Sequence, residues 1–186
     1  MVEINVDQKV IKSVEKALKN IPNGSKRAIA NATNRAITKG RMTISKEVTS
    51  EFTIKAKDVK ATLSLQKATV SRLGGVVKSA APVTTLIRFK TTPKTVTKKR
   101  PAALKVAVKK GGYKTLPGAF IAQTKSGHIG VFERSKESRL PIKQIMGPSI
   151  PYMAKGQNVS NTVQKDMTNM FYTRLEHEMT RLLKKY

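Results

Sequence analysis

Residues 116–148 read LPGAFIAQTKSGHIGVFERSKESRLPIKQIMGP, and this stretch determines the predicted fold. It contains two short apolar runs, 119–122 and 129–132, separated by a polar segment that includes Gly127. An apolar run, a glycine-bearing turn and a second apolar run predict a β-hairpin. Pro141 and Pro148 are predicted to take the chain off the sheet, because proline cannot donate a hydrogen bond to a strand ladder.

The same stretch carries a resemblance to a known family. The runs LPGAFIA at 116–122, SGHIGVFER at 126–134, RLPIKQ at 139–144 and GPSIP at 147–151 occur in this order. With these runs, residues 105–155 resemble the prophage minor tail protein Z family, which comprises small tail-completion proteins of tailed phages. The residues that carry the resemblance, all expected to be structural, are Leu116, Pro117, Gly118, Phe120, Gly127, Gly130, Phe132, Pro141, Gly147 and Pro148.

The resemblance implies a role in the phage particle. Proteins of this family act at the head-proximal end of the tail, where they complete the tail and help to join it to the filled head. Related connector and terminator proteins form rings, commonly six-fold. The implied partners are therefore further copies of the chain, the tail tube, the neck or connector proteins, and the genomic DNA in the lumen. The implied location is the virion, after synthesis in the host cytoplasm.

The charge is strongly positive and unevenly distributed. The 186 residues include 37 basic and 11 acidic side chains, which give a net charge of +26. Residues 59–132 contain 15 lysines or arginines and no acidic residue. Such a charge indicates a polyanion or an acidic protein as partner, or basic faces that other subunits neutralise. The candidates for facing DNA or a partner are Lys94, Lys98, Lys99, Arg100, Lys105, Lys109 and Lys110.

Several functional classes find no support in the sequence. The chain has no cysteine, which excludes disulfides and thiolate metal sites. Ser126 and His128 lack a third group to orient a base, and Gly111-Gly112 does not match a phosphate-binding loop. No apolar run approaches the roughly 20 residues that span a bilayer. The prediction is therefore a protein that is not an enzyme, binds no cofactor or metal, and contacts no membrane.

The apolar periodicity predicts helices at the two ends of the chain. The predicted helices are 6–21 with Asp7 near its start, 26–50 capped by Ser25, 55–63 capped by Thr53, and one from Ser160 or Asn161 to about 184. Ala30, Ala32, Ala36 and Gly40 would let the second helix pack closely against a neighbour.

The middle of the chain is predicted to form strands. These are 67–73, 76–80, 83–90 and 103–109, followed by the hairpin, with a loop at 91–101. Leu104, Val106 and Val108 should be buried, and Lys105 and Lys109 exposed, because the side chains of a strand alternate between its faces. Strands 83–90 and 103–109 should pair antiparallel.

The predicted fold class is α+β. It has an antiparallel or mixed sheet of about five or six strands, packed by N-terminal helices and a C-terminal helix, in a single domain over 1–186. A basic, non-enzymatic nucleic-acid-binding protein remains the alternative function. Aromatic residues make up only 5% of the chain, which argues against a platform for stacking single strands. A stable ring would favour the tail protein, and a salt-sensitive monomer with tight DNA affinity would favour the alternative.

Overall fold

The computed structural model describes residues 2–4, 6–96 and 103–185. Helices flank a central series of short strands, so the α+β prediction is confirmed. Within the described residues no helix is long and apolar enough to cross a membrane. The helices are α1 (Gln8–Ala17), α2 (Gly24–Glu51), α3 (Ala56–Ala61), α4 (Ile150–Ala154) and α5 (Gln157–Leu183), with a 3-10 turn at Leu86–Arg88.

The strands of the described chain form four small antiparallel sheets, in the orders β1-β3-β2, β5-β6-β7, β10-β9-β8 and β11-β4. The expected sheet of five or six strands is therefore matched only loosely. The strands are β1 (Val2–Ile4), β2 (Leu63–Gln66), β3 (Gly75–Ser79), β4 (Thr84–Thr85), β5 (Lys90–Thr92), β6 (Leu104–Ala107), β7 (Lys114–Leu116), β8 (Phe120–Gln123), β9 (Ile129–Arg134), β10 (Ile142–Gln144) and β11 (Met146–Gly147).

The chain divides into two compact units. The first unit comprises 1–45, 63–80 and 155–186, and the second comprises 46–62 and 81–154. Helix α2 contributes to both, since the division falls after Ser45. The assignment of the whole chain to one domain stays a prediction.

The first unit packs α2 and α5 with the β1-β3-β2 sheet. The small residues of α2 have the predicted effect, because Gly40 leaves no room for a side chain. A Cβ atom at Gly40 would lie 2.8 Å from Cγ of Met167, which is fully buried on α5. Gly75 on β3 is equally confined, since its Cβ would lie 2.8 Å from a methyl group of Thr33. At both glycines a buried side chain of another element therefore packs directly against the backbone.

The predicted hairpin of the second unit is confirmed as β8 and β9. Phe120 pairs with Phe132 in its register, and Gly127 takes a positive φ of 84° in the turn. Gly130 and Gly147 have close neighbours, because their Cβ atoms would lie 2.8 Å from Gln144 and 2.6 Å from Phe89. Within the motif that resembles the family, Gly127 is thus favoured by its backbone conformation, and Gly130 and Gly147 are favoured by the lack of space for a side chain.

The proposed exit from the sheet at Pro141 is wrong. Residues Ile142–Gln144 form β10 and pair with β9. Because β10 is at the edge of its sheet, a proline directly before it costs no ladder hydrogen bond. At the other proline, Pro148, the chain has left β11.

The alternation in β6 is largely confirmed. Leu104 and Val106 are buried, and Lys105 and Lys109 are exposed. Val108 is only half-buried, because the strand ends at Ala107.

The expected pairing across the long loop is confirmed, with Lys90 opposite Ala107 in β5 and β6. The predicted strand 83–90 is wrong, since a 3-10 turn interrupts it and separates β4 from β5. Thr91 and Thr92, assigned to the loop, belong to β5. The basic centre of that loop, at 98–100, lies outside the described residues.

The remaining predicted boundaries and caps differ from the structure in part. Asp7 caps α1 as predicted, accepting a hydrogen bond from the Lys9 backbone. Thr53 does not cap α3, because its hydroxyl bonds to the β5-β6 sheet instead. The predicted strand 67–73 is replaced by β2, which ends at Gln66, and the short strand β1 was missed. Helix α2 begins at Gly24, so Ser25 lies inside it, and α5 begins after Gly156.

Candidate functional site: a basic groove in the second unit

The second unit contains an open groove of about 740 Å³, referred to below as the basic groove. Its walls come from the segment around α3, from the 3-10 turn with β5, and from the turn after β6. The lining residues are Thr53, Lys55, Asp58, Ile87, Arg88, Phe89, Lys90, Thr91, Lys94 and Lys110.

Thr53 fixes the geometry of the groove. Its hydroxyl accepts a hydrogen bond from the Lys90 backbone N–H at 3.0 Å and donates one to the carbonyl of Ala107. Its own N–H donates to the carbonyl of Val108 at 3.0 Å. Lys110 is held in the same way, because its N–H donates to the carbonyl of Glu51 at 2.8 Å. The chain at the end of α2 is therefore tied to β5 and to the residues at and directly after the end of β6.

The groove is strongly cationic. Five of its lining residues are lysine or arginine, and all five are exposed. The lining also includes one acidic residue among those described, Asp58. The carboxylate of Asp58 accepts a hydrogen bond from Nη1 of Arg88 at 3.0 Å. The side chain of Arg88 remains about half exposed in this pair. Such an exposed pair contributes little to stability.

The basic groove continues onto one face of the β5-β6-β7 sheet. Lys90, Thr92, Lys105 and Thr115 share this face by their register and are exposed, whereas Ala107, which lies opposite Lys90 on the same face, is buried. Tyr113 lies at its margin, with Nζ of Lys90 5.4 Å from the centre of the ring. A hydrogen bond with Lys90 lowers the pKa of the Tyr113 phenol from its usual value. We call this surface the open sheet face.

The basic residues expected from the sequence to face DNA or a partner lie in different surroundings in the structure. Lys94 and Lys110 line the basic groove, and Lys105 lies on the open sheet face. Lys109 forms an ion pair with Glu51 at 2.7 Å, and this hydrogen bond raises the pKa of its ammonium group. Lys109 thus has a carboxylate partner within the same unit. The remaining three candidates, Lys98, Lys99 and Arg100, lie outside the described residues.

Sequence reasoning missed three of the groove cations, namely Lys55, Arg88 and Lys90. They come from segments up to 35 positions apart, and nothing in their local pattern links them. A signal was available for two of them, because Arg88 and Lys90 lie in the acid-free segment directly before the basic loop.

A second polar cavity, of about 380 Å³, lies in the first unit. Glu178 is buried at its edge and accepts hydrogen bonds from Arg181 at 2.8 Å and from Asn31 at 3.2 Å. Arg174 completes the cluster with an ion pair at 3.1 Å. Burial raises the pKa of Glu178, but the hydrogen bonds from Arg181 and Asn31 outweigh it, so the net pKa is lowered. Because these donors satisfy the carboxylate, we interpret the cluster as part of the core.

The described residues contain no group of three histidine or acidic side chains placed to hold a metal ion. His128 is exposed and bonds through its ring to the side chain of Gln144 at 2.9 Å, which links β10 to the β8-β9 turn.

The whole chain was compared with known proteins. The profile of one family, described as prophage minor tail protein Z (GPZ), matches residues 9–186. This range runs from α1 to the end of α5 and includes every lining residue of the basic groove. No curated protein and no solved structure matches significantly.

Proposed function

The chain belongs to the prophage minor tail protein Z family, and from this membership we propose that it completes the head-proximal end of a phage tail as a ring around the DNA path. Membership makes the chain a structural protein of a phage tail and a component of the virion, in contact with other phage structural proteins. The finer proposal adds its position at the junction with the head, its ring form and its role in joining the two. The role is structural rather than enzymatic.

The observation that carries the proposal is the length of the family match. It extends far beyond the motif around 116–148 and covers both compact units. A shared function is therefore inferred for nearly the whole chain rather than for one hairpin.

The distribution of exposed apolar side chains supports contacts with other proteins. Among the described residues, most of the large hydrophobic side chains that remain exposed belong to the second unit. Where such side chains lie together they mark contact surfaces for other proteins, and we propose that the assembly covers them. They are Val83, Val96, Tyr113, Ile129, Leu140, Met146 and Tyr152.

The open edges of the small sheets support a ring for the same reason. Each described sheet has only two or three strands, so most strands have one unpaired edge. A heterologous contact, in which one patch binds a different patch of the next copy, covers such edges and closes when the rotation per subunit fits a ring. We expect six copies.

Two measurements test the proposal. Mass photometry of the purified chain should detect a closed oligomer of about six copies, and cryo-electron microscopy of the phage should place its density where the tail meets the head. Density at the distal tip would refute the head-proximal position. Substituting Met146→Asp and Tyr152→Asp should reduce assembly, whereas Lys125→Asp, at an exposed polar site, should not.

The basic groove also favours a second candidate, a non-enzymatic nucleic-acid-binding protein that acts outside any particle. A monomer that binds DNA tightly in low salt and is absent from purified virions would support this alternative. Presence in the virion as a ring would exclude it.

A further inference from the structure

We propose that the basic groove binds the phosphodiester backbone of duplex DNA. The inference rests on the proposed position of the chain around the DNA path and adds the surface and the chemical group involved. It would make this groove the place where the tail protein contacts the genome, through phosphates and without reading sequence.

The first argument is the charge balance of the groove. Lys55, Lys90, Lys94 and Lys110 line it, and the one acid among the described lining residues, Asp58, is already bonded to Arg88. Like charges that line one groove repel one another, and an anion with several charges offsets that repulsion along the length of the groove. Duplex DNA offers one negative charge about every 1.7 Å of its axis.

The second argument is the extent of the surface. Lys90 belongs both to the groove and to the open sheet face, so the cationic surface continues to Lys105 on the central strand. An exposed aromatic, Tyr113, lies beside Lys90. Its hydroxyl can donate to a phosphate oxygen, as tyrosine hydroxyls do in many DNA complexes. A surface of this kind follows a linear polyanion better than a single anionic group.

The third argument separates DNA from an acidic protein segment. Tight protein interfaces depend on apolar anchors that insert into pockets. Of the two apolar side chains in the described wall of the groove, Phe89 is only 5% exposed and Ile87 is half-buried. All five cations of the groove are exposed, and charge supplies essentially all of the non-specific affinity for a phosphate backbone.

A salt titration with matched variants tests the proposal. The groove variant is Lys90→Gln, Lys94→Gln and Lys110→Gln, and the control is Lys125→Gln, Lys136→Gln and Lys155→Gln, which removes the same charge from exposed lysines outside the groove. Fluorescence anisotropy with a 30-base-pair duplex of mixed sequence measures affinity from 50 to 200 mM salt. Circular dichroism checks that both variants remain folded.

We expect the groove variant to lose affinity at least ten-fold at the lowest salt, with a change of less than three-fold in the control. Each lost phosphate contact flattens the plot of log affinity against log salt by about 0.9, so the slope should change by up to about 2.7 in the groove variant. Equal slopes and affinities for the two variants would overturn the proposal.

The outcome in the particle separates this inference from the proposed function. If the groove variant is still incorporated into tails but binds duplex DNA poorly in isolation, both proposals stand. If it binds duplex DNA like the unmodified chain and fails to enter tails, the groove holds a protein partner and the DNA inference is wrong. Failure of the unmodified chain to occur at the head-proximal end would instead refute the proposed function.

Discussion

Thr53 is the residue on which the groove geometry depends, and Thr53→Val tests that dependence with almost no change in shape. Valine removes the acceptor for the Lys90 N–H and the donor to the Ala107 carbonyl. Each hydrogen bond contributes about 1 kcal/mol net, and a polar group left without a partner adds to the loss. Since Lys90 is exposed, water can replace part of its lost bond. We therefore expect a loss of about 2 kcal/mol in the free energy of unfolding.

Urea denaturation followed by far-ultraviolet circular dichroism is the suitable assay, because the chain has no tryptophan. With a slope of about 2 kcal/mol per molar urea, the expected loss lowers the midpoint by about 1 M. Thr53→Ser keeps the hydroxyl and should shift the midpoint by less than half as much. If valine and serine at this position destabilise the protein equally, the hydroxyl does not hold β5 and β6 together as argued.

Three further predictions concern the cores of the two units. Val106→Asp should destabilise the second unit by more than about 4 kcal/mol, because it buries a charge on the central strand β6, and soluble, folded protein would show that the faces are reversed. Glu178→Gln should reduce the free energy of unfolding by about 2 kcal/mol at pH 7. Since folding lowers the pKa of Glu178, its stabilisation is present above about pH 4.3 and is lost as the pH falls through the pKa of the folded state. The difference in free energy of unfolding between the unmodified chain and the variant, measured by urea titration, should therefore become smaller in acid. Gly40→Ala should lower the free energy of unfolding by about 1–3 kcal/mol through overpacking. In a protein that already carries Met167→Ala, the same substitution should instead raise the free energy of unfolding, as thermal unfolding of the single and double variants would reveal.

The accuracy of the sequence predictions depended on the range of the interaction involved. The β8-β9 hairpin, the cap at Asp7 and the alternation of Leu104, Lys105 and Val106 depend on neighbours along the chain, and the structure confirmed them. The failures were set by distant partners. Thr53 has the chemistry of a helix cap, but strands more than 35 residues away offered its hydroxyl two backbone partners.

The sequence alone determined the α+β class, the excess of positive charge and the family, because composition, periodicity and an ordered motif are properties of the chain itself. The tertiary structure decided where that charge acts. It places Lys55, Lys90 and Lys110, which come from three separate segments, in the lining of one groove. It also pairs Lys109 with Glu51 in an ion pair. The physical reason is that a groove exists only where separate elements meet. The residues that line it are therefore determined by the hydrogen bonds and packing that join those elements, and these cannot be predicted from a local sequence pattern.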